Sequence, residues 1–116
     1  MSKKLKPQRL ESIVKTNRYV YQLIDRTSNY AIFAQMNELG GVPIGYEVIR
    51  ITMTGGKTFK GKYYPPKERY PCASQFGRYG WSYRDLKDAL AKYEAFREQE
   101  NQVKQLISIL LPEETV

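Results

Sequence analysis

The chain has 116 residues, 41% of them hydrophobic and 27% charged, which predicts one globular domain and excludes general disorder. Its net charge of +7 favours a polyanion as partner. With no histidine and a single cysteine, Cys72, the sequence excludes an internal disulfide, a closed zinc site within one chain and histidine-dependent catalysis.

No apolar run reaches the roughly 20 residues that a membrane span needs, and no apolar segment follows the basic start, as it would in a secretory signal. We therefore expect a cytoplasmic protein that does not contact membranes, is not an enzyme and carries no cofactor or metal.

The N-terminal part predicts a mobile basic arm over residues 1–6 and a short helix over residues 7–15. Pro7 suits the first turn of a helix, where its missing N–H would have no partner. Leu10, Ile13 and Val14 would then share one helix face. We expect a single domain over residues 7–111, followed by a tail at 112–116.

Three strand-like runs follow, rich in Tyr, Val and Ile, at residues 18–26, 30–38 and 45–53. Short linkers between them favour antiparallel neighbours. In the third run Ile49, Ile51 and Met53 share the face that we expect in the core. "KTFKGKYY" at 57–64 predicts a fourth, irregular strand that ends before two prolines.

The last element is a long helix after an aromatic loop. "SYRD" matches a capping box with Ser82 as N-cap and Asp85 three positions later, so the helix should begin near Tyr83. An apolar stripe interrupted by Glu100 then continues to Leu110. The predicted architecture is α+β: a short N-terminal helix, an antiparallel meander of three or four strands, a long aromatic loop and a long C-terminal helix packed on the sheet.

A helix of about 28 residues would be roughly 42 Å long, more than a small sheet covers. Two alternatives follow. The helix breaks near 98–102 and folds back against the N-terminal segment, or its end pairs with another subunit and forms a homo-oligomer. The residues available for that pairing are Val103, Leu106, Ile107 and Leu110.

The central segment combines basic and aromatic residues. Residues 50–84 carry eight basic side chains against one acidic, and residues 54–83 hold eight of the fifteen aromatics. Aromatic rings stack on bases, and cations neutralise phosphates. The residues that we predict to contact nucleic acid or another polyanion are Lys57, Lys60, Lys62, Tyr63, Tyr64, Arg69 and Arg78.

Other motifs have structural interpretations. Phe76, Gly77, Gly80 and Trp81 predict a clamp that closes the seam between sheet and helix. "GKTFKGKY" imitates a phosphate-binding P-loop, but prolines replace the required helix, so we expect no nucleotide site. We interpret Glu47 as a structural residue whose side chain pairs with one on a neighbouring strand.

"PIGYEVIRI", "PPKERYPCASQFGRYGW" and "YRDLKDALAKYEAF" together resemble small uncharacterised proteins of bacteriophages and related mobile elements. The resemblance covers about residues 19–97. It implies a YEV-type strand, an FG…W turn and an amphipathic helix, but no activity and no site residues.

Two functional hypotheses result. The first is a phage-encoded accessory protein that captures nucleic acid electrostatically through the basic arm and residues 57–78, with tyrosine rings stacked on the bases. The second is a protein-binding module, either an inhibitor of a host enzyme or defence complex or a minor virion component. In the second, the basic face meets an acidic partner and the apolar helix end mediates assembly.

Overall fold

The computed structural model describes residues 8–16, 18–38 and 41–110. The predicted basic arm at 1–6 and the tail at 112–116 lie outside these residues. The elements of the described part are, in chain order, β1 (Ile13–Lys15), β2 (Tyr19–Arg26), β3 (Tyr30–Asn37), β4 (Gly45–Arg50), β5 (Thr52–Thr54), β6 (Lys57–Phe59), β7 (Lys62–Tyr64), β8 (Lys67–Arg69), a 3₁₀ turn (Ala73–Gln75), β9 (Gly80–Tyr83) and α1 (Leu86–Leu110).

The centre of the protein is an antiparallel sheet in the order β1-β2-β3-β4-β9. The α+β class is therefore confirmed, with a long C-terminal helix on the sheet. The predicted meander of three or four strands becomes a sheet of five. Its two additional strands are β1, from the predicted helical segment, and β9, from the predicted aromatic loop.

The short helix predicted over residues 7–15 is wrong for the residues that the structure describes. Gln8 forms an isolated bridge with Lys67, and Ile13–Lys15 is the edge strand β1. Ile13 is exposed while Val14 packs against the core, which is the alternation of a strand. β-Branched neighbours favour that conformation once the edge of β2 offers hydrogen bonds.

The third predicted strand ends earlier than expected. β4 stops at Arg50, Ile51 is buried between strands, and residues 52–54 pair with β8 instead. Met53, predicted in the core, is half exposed because it lies outside the central sheet.

Both faces of the central sheet are covered, by different parts of the chain. On the first face, Phe33 and Ile49 belong to a cluster that Leu10, Val14, Tyr70 and Phe76 complete. On the second face, Ile32 and Val48 pack with Ala89 and Tyr93 of α1. The helix thus covers the Val48 side, and the predicted Ile49 core face is closed by the N-terminal segment and the aromatic loop.

Helix α1 begins at Leu86 rather than near Tyr83, so the predicted N-cap is wrong. Ser82 belongs to β9, and its hydroxyl donates to Glu47. The Asp85 carbonyl accepts the first helical hydrogen bond, from the Ala89 N–H at 3.2 Å. Pairing of β9 with β4 extends to Tyr83 and delays the start of the helix.

The helix continues without a break through residues 98–102, so the alternative in which it breaks and folds back is wrong. Its first half docks on the sheet: Phe96 stacks on Tyr30 with ring centroids 4.4 Å apart, and Tyr93 donates to Asp25 at 3.1 Å. Glu100, the polar interruption of the stripe, accepts from Asn29 at 2.7 Å. Residues 101–110 are all exposed.

Residues 52–69 form a two-stranded extension that we call the β-ribbon. Its base is the β5–β8 pair and its tip is the β6–β7 hairpin. The predicted single strand at 57–64 is therefore a hairpin. Lys60 and Gly61 connect its strands with φ of 51° and 75°, which is the positive-φ geometry of a two-residue type I′ turn.

Candidate nucleic-acid interface

The tip of the β-ribbon brings together most of the predicted contact residues. Lys57, Lys60, Lys62, Tyr63 and Tyr64 all lie on the β6–β7 hairpin, and every residue of the tip is exposed. The aromatic side chains there are 45–61% exposed, with Phe59 the most open. Large aromatic rings without packing partners indicate a surface that another molecule covers.

The strand register arranges the tip into two unequal faces. Lys57 lies opposite Tyr64, and Phe59 lies opposite Lys62, so these four side chains share one face in an alternating pattern of cation and ring. Tyr63 lies opposite Thr58 on the other face. The first face can therefore meet phosphates and bases at the same time.

Cations and rings of the tip also contact one another. The Lys62 Nζ lies 5.5 Å from the centre of the Tyr64 ring, and the Lys60 Nζ lies 5.4 Å from that of Phe59. These are cation–π distances, of modest energy at an exposed site. The lysines remain exposed and available to a ligand.

Within the described part of the chain, carboxylates do not neutralise the basic side chains of the β-ribbon. The ion pairs found in residues 8–16, 18–38 and 41–110 join Arg26 to Glu68 and Arg97 to Glu94, so no basic side chain of the β-ribbon takes part in one. Glu68 is the only acidic residue between 50 and 84, and its partner is Arg26 of β2.

That pair fixes the base of the β-ribbon to the central sheet. Arg26 donates to both carboxylate oxygens of Glu68, at 2.7 and 2.9 Å, and the Leu10 N–H donates to one of them at 2.8 Å. The Arg26 hydrogen bonds lower the pKa of Glu68. The only carboxylate of this basic region is thereby satisfied internally.

A basic groove of about 330 Å³ runs beside the base of the β-ribbon, between β8 and the N-terminal segment. Its lining holds four cations, Arg9 and Lys15 on one side and Lys67 and Arg69 on the other, against the two carboxylates of Glu11 and Glu68. Backbone hydrogen bonds of Gln8 with Pro66 and Glu68 bring the two segments together. Two distant basic stretches of the sequence therefore converge here.

Sequence reasoning included Arg69 in this group but missed Arg9, Lys15 and Lys67. The excess of cations in residues 1–18 indicated that the two basic stretches act together, but the predicted helix over residues 7–15 did not place Arg9 and Lys15 beside β8. Arg78 lies apart from these residues, in the exposed turn that leads into β9. Its neighbour Tyr79 contacts Arg50, with the guanidinium 5.8 Å from the ring centre.

The predicted clamp residues lie on opposite faces of the sheet. Trp81 is half-buried on the helix side, with its ring centre 5.0 Å from that of Phe96 and the Lys92 Nζ 4.8 Å away. Phe76 lies on the other face, directly over Gly80, where an added Cβ would come within 2.8 Å of the ring. Gly77 has a φ of 93° in the connecting turn.

No protein family model matches the chain, and comparison with curated proteins and with solved structures found no match. In the described part of the chain, His, Cys, Asp and Glu side chains do not gather in threes as a metal site would require. Among those same residues, no helix has both the length and the apolar character of a membrane span.

Proposed function

We propose that this protein binds nucleic acid, with a preference for single strands, through the β-ribbon and the basic groove beside it. The observation that carries the proposal is the exposed face of the tip, on which Lys57 and Lys62 alternate with Phe59 and Tyr64. Exposed rings need unpaired bases on which to stack, whereas a duplex presents base edges and phosphates. This preference distinguishes the proposal from general attraction to any polyanion.

The test is a titration of a labelled single strand of about 16 nucleotides and of the corresponding duplex, by fluorescence anisotropy. We expect tighter binding to the single strand and a steep loss of affinity between about 50 and about 200 mM salt. A flat salt response, or equal affinity for a sulfated polysaccharide of similar charge, would falsify the proposal.

A matched pair of variants locates the contact surface. Lys57→Gln/Lys62→Gln removes two cations from the tip, while Lys87→Gln/Lys104→Gln removes two exposed cations from α1. The first should reduce the slope of log affinity against log salt by about 1.4, at about 0.7 for each single-strand phosphate contact. The second should leave the slope unchanged.

A second function is favoured by a separate observation on α1. Val103, Leu106, Ile107 and Leu110 are 49–67% exposed on one side of the helix end. Unpartnered apolar stripes of this kind often bind another protein chain. Sedimentation of the wild type over a range of concentrations tests a second copy as the partner, and a monomer at every concentration removes that option.

A further inference from the structure

A second cavity lies on the sheet face opposite the helix, next to the basic groove. Its volume is about 490 Å³, enough for a nucleobase, and it opens to solvent. The side chains that matter for its chemistry are Thr16, Tyr21, Glu47, Tyr70, Phe76 and Ser82. Three of them are aromatic and one is a buried carboxylate.

Glu47 is the chemically distinctive group of this cavity. It is only 7% exposed, yet it forms no ion pair with any described cation. Tyr70 donates its hydroxyl to one carboxylate oxygen, and Ser82 donates to the other at 3.2 Å. Each oxygen of an ionised carboxylate has two lone pairs, so one acceptor position remains on each.

The aromatic walls are held in fixed orientations. Tyr70 packs against Phe33 with ring centroids 5.1 Å apart and against Tyr21 at 5.4 Å. Phe76 is fixed by its contact with Gly80. Rigid rings around a polar acceptor provide stacking surfaces without an additional cost of ordering.

The cavity and the basic groove share one wall. Tyr70 borders both, and the N-terminal segment passes from Val14 and Lys15 in the groove to Thr16 in the cavity. A strand whose phosphates contact Lys15 and Arg69 therefore has a cavity within reach of its bases. The Glu47 carboxylate repels phosphate groups. It is suited to another group of the bound strand, one that donates hydrogen bonds.

We propose that this cavity binds one unpaired guanine of the bound strand, with the Glu47 carboxylate accepting from the N1–H and the 2-amino group of the base. Guanine is the base that presents two adjacent donors to two acceptor oxygens, whereas cytosine, adenine and thymine each offer one such donor group. The inference deepens the proposed function and depends on it, because the strand must first reach the groove.

The experiment compares single-stranded oligothymidines of about 16 nucleotides in which one central base is guanine, hypoxanthine, adenine or thymine. Wild-type protein should bind the guanine strand roughly 5- to 100-fold more tightly than the all-thymine strand. The hypoxanthine strand, which lacks only the 2-amino group, should lie between them. This comparison uses unmodified protein and does not depend on the folding of a variant.

Glu47→Gln should abolish the preference for guanine, so that the guanine strand and the all-thymine strand bind the variant with equal affinity. Glu98→Gln, at an exposed carboxylate on α1, is the control and should keep the preference. Equal wild-type affinity for guanine and thymine strands overturns the guanine site while leaving the proposed function intact. Absence of binding to every strand overturns both.

Discussion

The carboxyl group of Glu47 lies in the sheet face opposite α1, between the hydroxyls of Tyr70 and Ser82. Burial raises its pKa, although both hydroxyl donors oppose the shift. Burial of the phenol and the negative charge on Glu47 raise the pKa of Tyr70 as well, and burial raises the pKa of Tyr21 to about 12. Both tyrosines thus resist ionisation and stay neutral hydroxyls at physiological pH.

The first prediction concerns the pH dependence of stability at Glu47. Because its folded pKa is raised, the native state binds the proton more tightly than the unfolded chain does. The wild type should therefore lose free energy of unfolding, relative to Glu47→Gln, as the pH rises from about 4.3 through the raised pKa. Above that window the difference should be constant.

Urea unfolding of both proteins at a series of pH values measures this difference. Glu98→Gln serves as the control, since it removes one exposed carboxylate outside the cavity. A stability of the wild type that increases with pH relative to Glu47→Gln contradicts the assignment.

The second prediction concerns the ion pair of Arg26 and Glu68, whose contribution to stability changes with pH in the opposite direction. The guanidinium hydrogen bonds lower the pKa of Glu68. The ion pair therefore contributes fully to the free energy of unfolding above the ordinary glutamate pKa of about 4.3, and this contribution is lost as the pH falls through the lowered pKa. Glu68→Gln should cost about 2–3 kcal/mol at neutral pH, the value of a hydrogen bond to a charged group.

Thermal unfolding at neutral pH and near pH 3 tests this pair. Glu94→Gln, whose contact with Arg97 is 3.5 Å long and exposed, is the matched control and should change stability by less than about 0.5 kcal/mol. Equal effects of the two substitutions would show that the base of the β-ribbon does not depend on Arg26.

At the scale of single residues, the sequence alone indicated the basic and aromatic side chains of the tip as candidate contact residues, because their charge and aromatic character do not depend on the fold. Lys57, Lys62 and Tyr64 would be exposed regardless of which strands pair with their own. Arg9 and Lys15 could not be predicted as their companions, since their position depends on the Gln8 pairing with β8, a contact across 59 residues of chain. The Glu47 cavity likewise requires knowledge of which loop covers the second sheet face.

The β-ribbon is the element on which the proposed function depends, and glycines set its shape. Gly55 has a φ of 90°, and an added Cβ would lie 2.2 Å from the Pro65 carbonyl oxygen. The two strands therefore approach closely at the junction between base and tip. Only glycine fits there without a shift of backbone.

The third prediction is that Gly55→Ala disrupts the tip while leaving the central sheet folded. The substitution adds both a backbone strain of about 1–2 kcal/mol and a clash with Pro65. Gly41→Ala is the control, because its φ of 102° imposes similar strain while, apart from its chain neighbours, no described residue has an atom within 4 Å of the added Cβ.

Amide hydrogen exchange and the oligonucleotide titration measure the outcome together. Protection should fall in residues 57–64 of Gly55→Ala and remain in β2, β3 and β4. Affinity for the single strand should fall with it. Undiminished affinity in a variant whose tip is unprotected would place the binding surface outside the β-ribbon.

At this scale, periodicity identified β2, β3 and the amphipathic helix, whose patterns extend over many residues. It did not identify the hairpin of the tip, because Lys60–Gly61 is a weaker turn signal than the Asn-Gly typical of type I′ turns. It also placed the start of α1 too early, since "SYRD" satisfies the capping pattern while Ser82 is used by β9. At the hairpin and at the start of α1 alike, strand pairing decided the structure rather than the local sequence signal.

For the whole molecule, the central sheet separates the two surfaces to which we assign binding. The helix closes the face of Val48, while the opposite face carries the Glu47 cavity and lies beside the basic groove and the β-ribbon. The exposed apolar end of α1 extends past the sheet from the helix side. Nucleic-acid contact and contact with another protein chain can therefore use different surfaces.

The last prediction separates the two halves of α1. Tyr93 is 1% exposed and belongs to the buried cluster of Ile32 and Val48, so Tyr93→Ala should reduce the free energy of unfolding by about 3–5 kcal/mol. Leu106→Gln/Ile107→Gln changes exposed side chains and should alter the stability of a monomer by no more than about 0.5 kcal/mol.

Denaturant unfolding at low and high protein concentration decides what the apolar stripe does. If a second copy covers it, the wild-type midpoint rises with concentration by mass action, and the Leu106→Gln/Ile107→Gln midpoint does not. Tyr93→Ala should be destabilised at both concentrations, because its contacts lie within one chain. A wild-type midpoint that is independent of concentration, together with a large loss in Leu106→Gln/Ile107→Gln, would mean that the helix end packs inside its own chain.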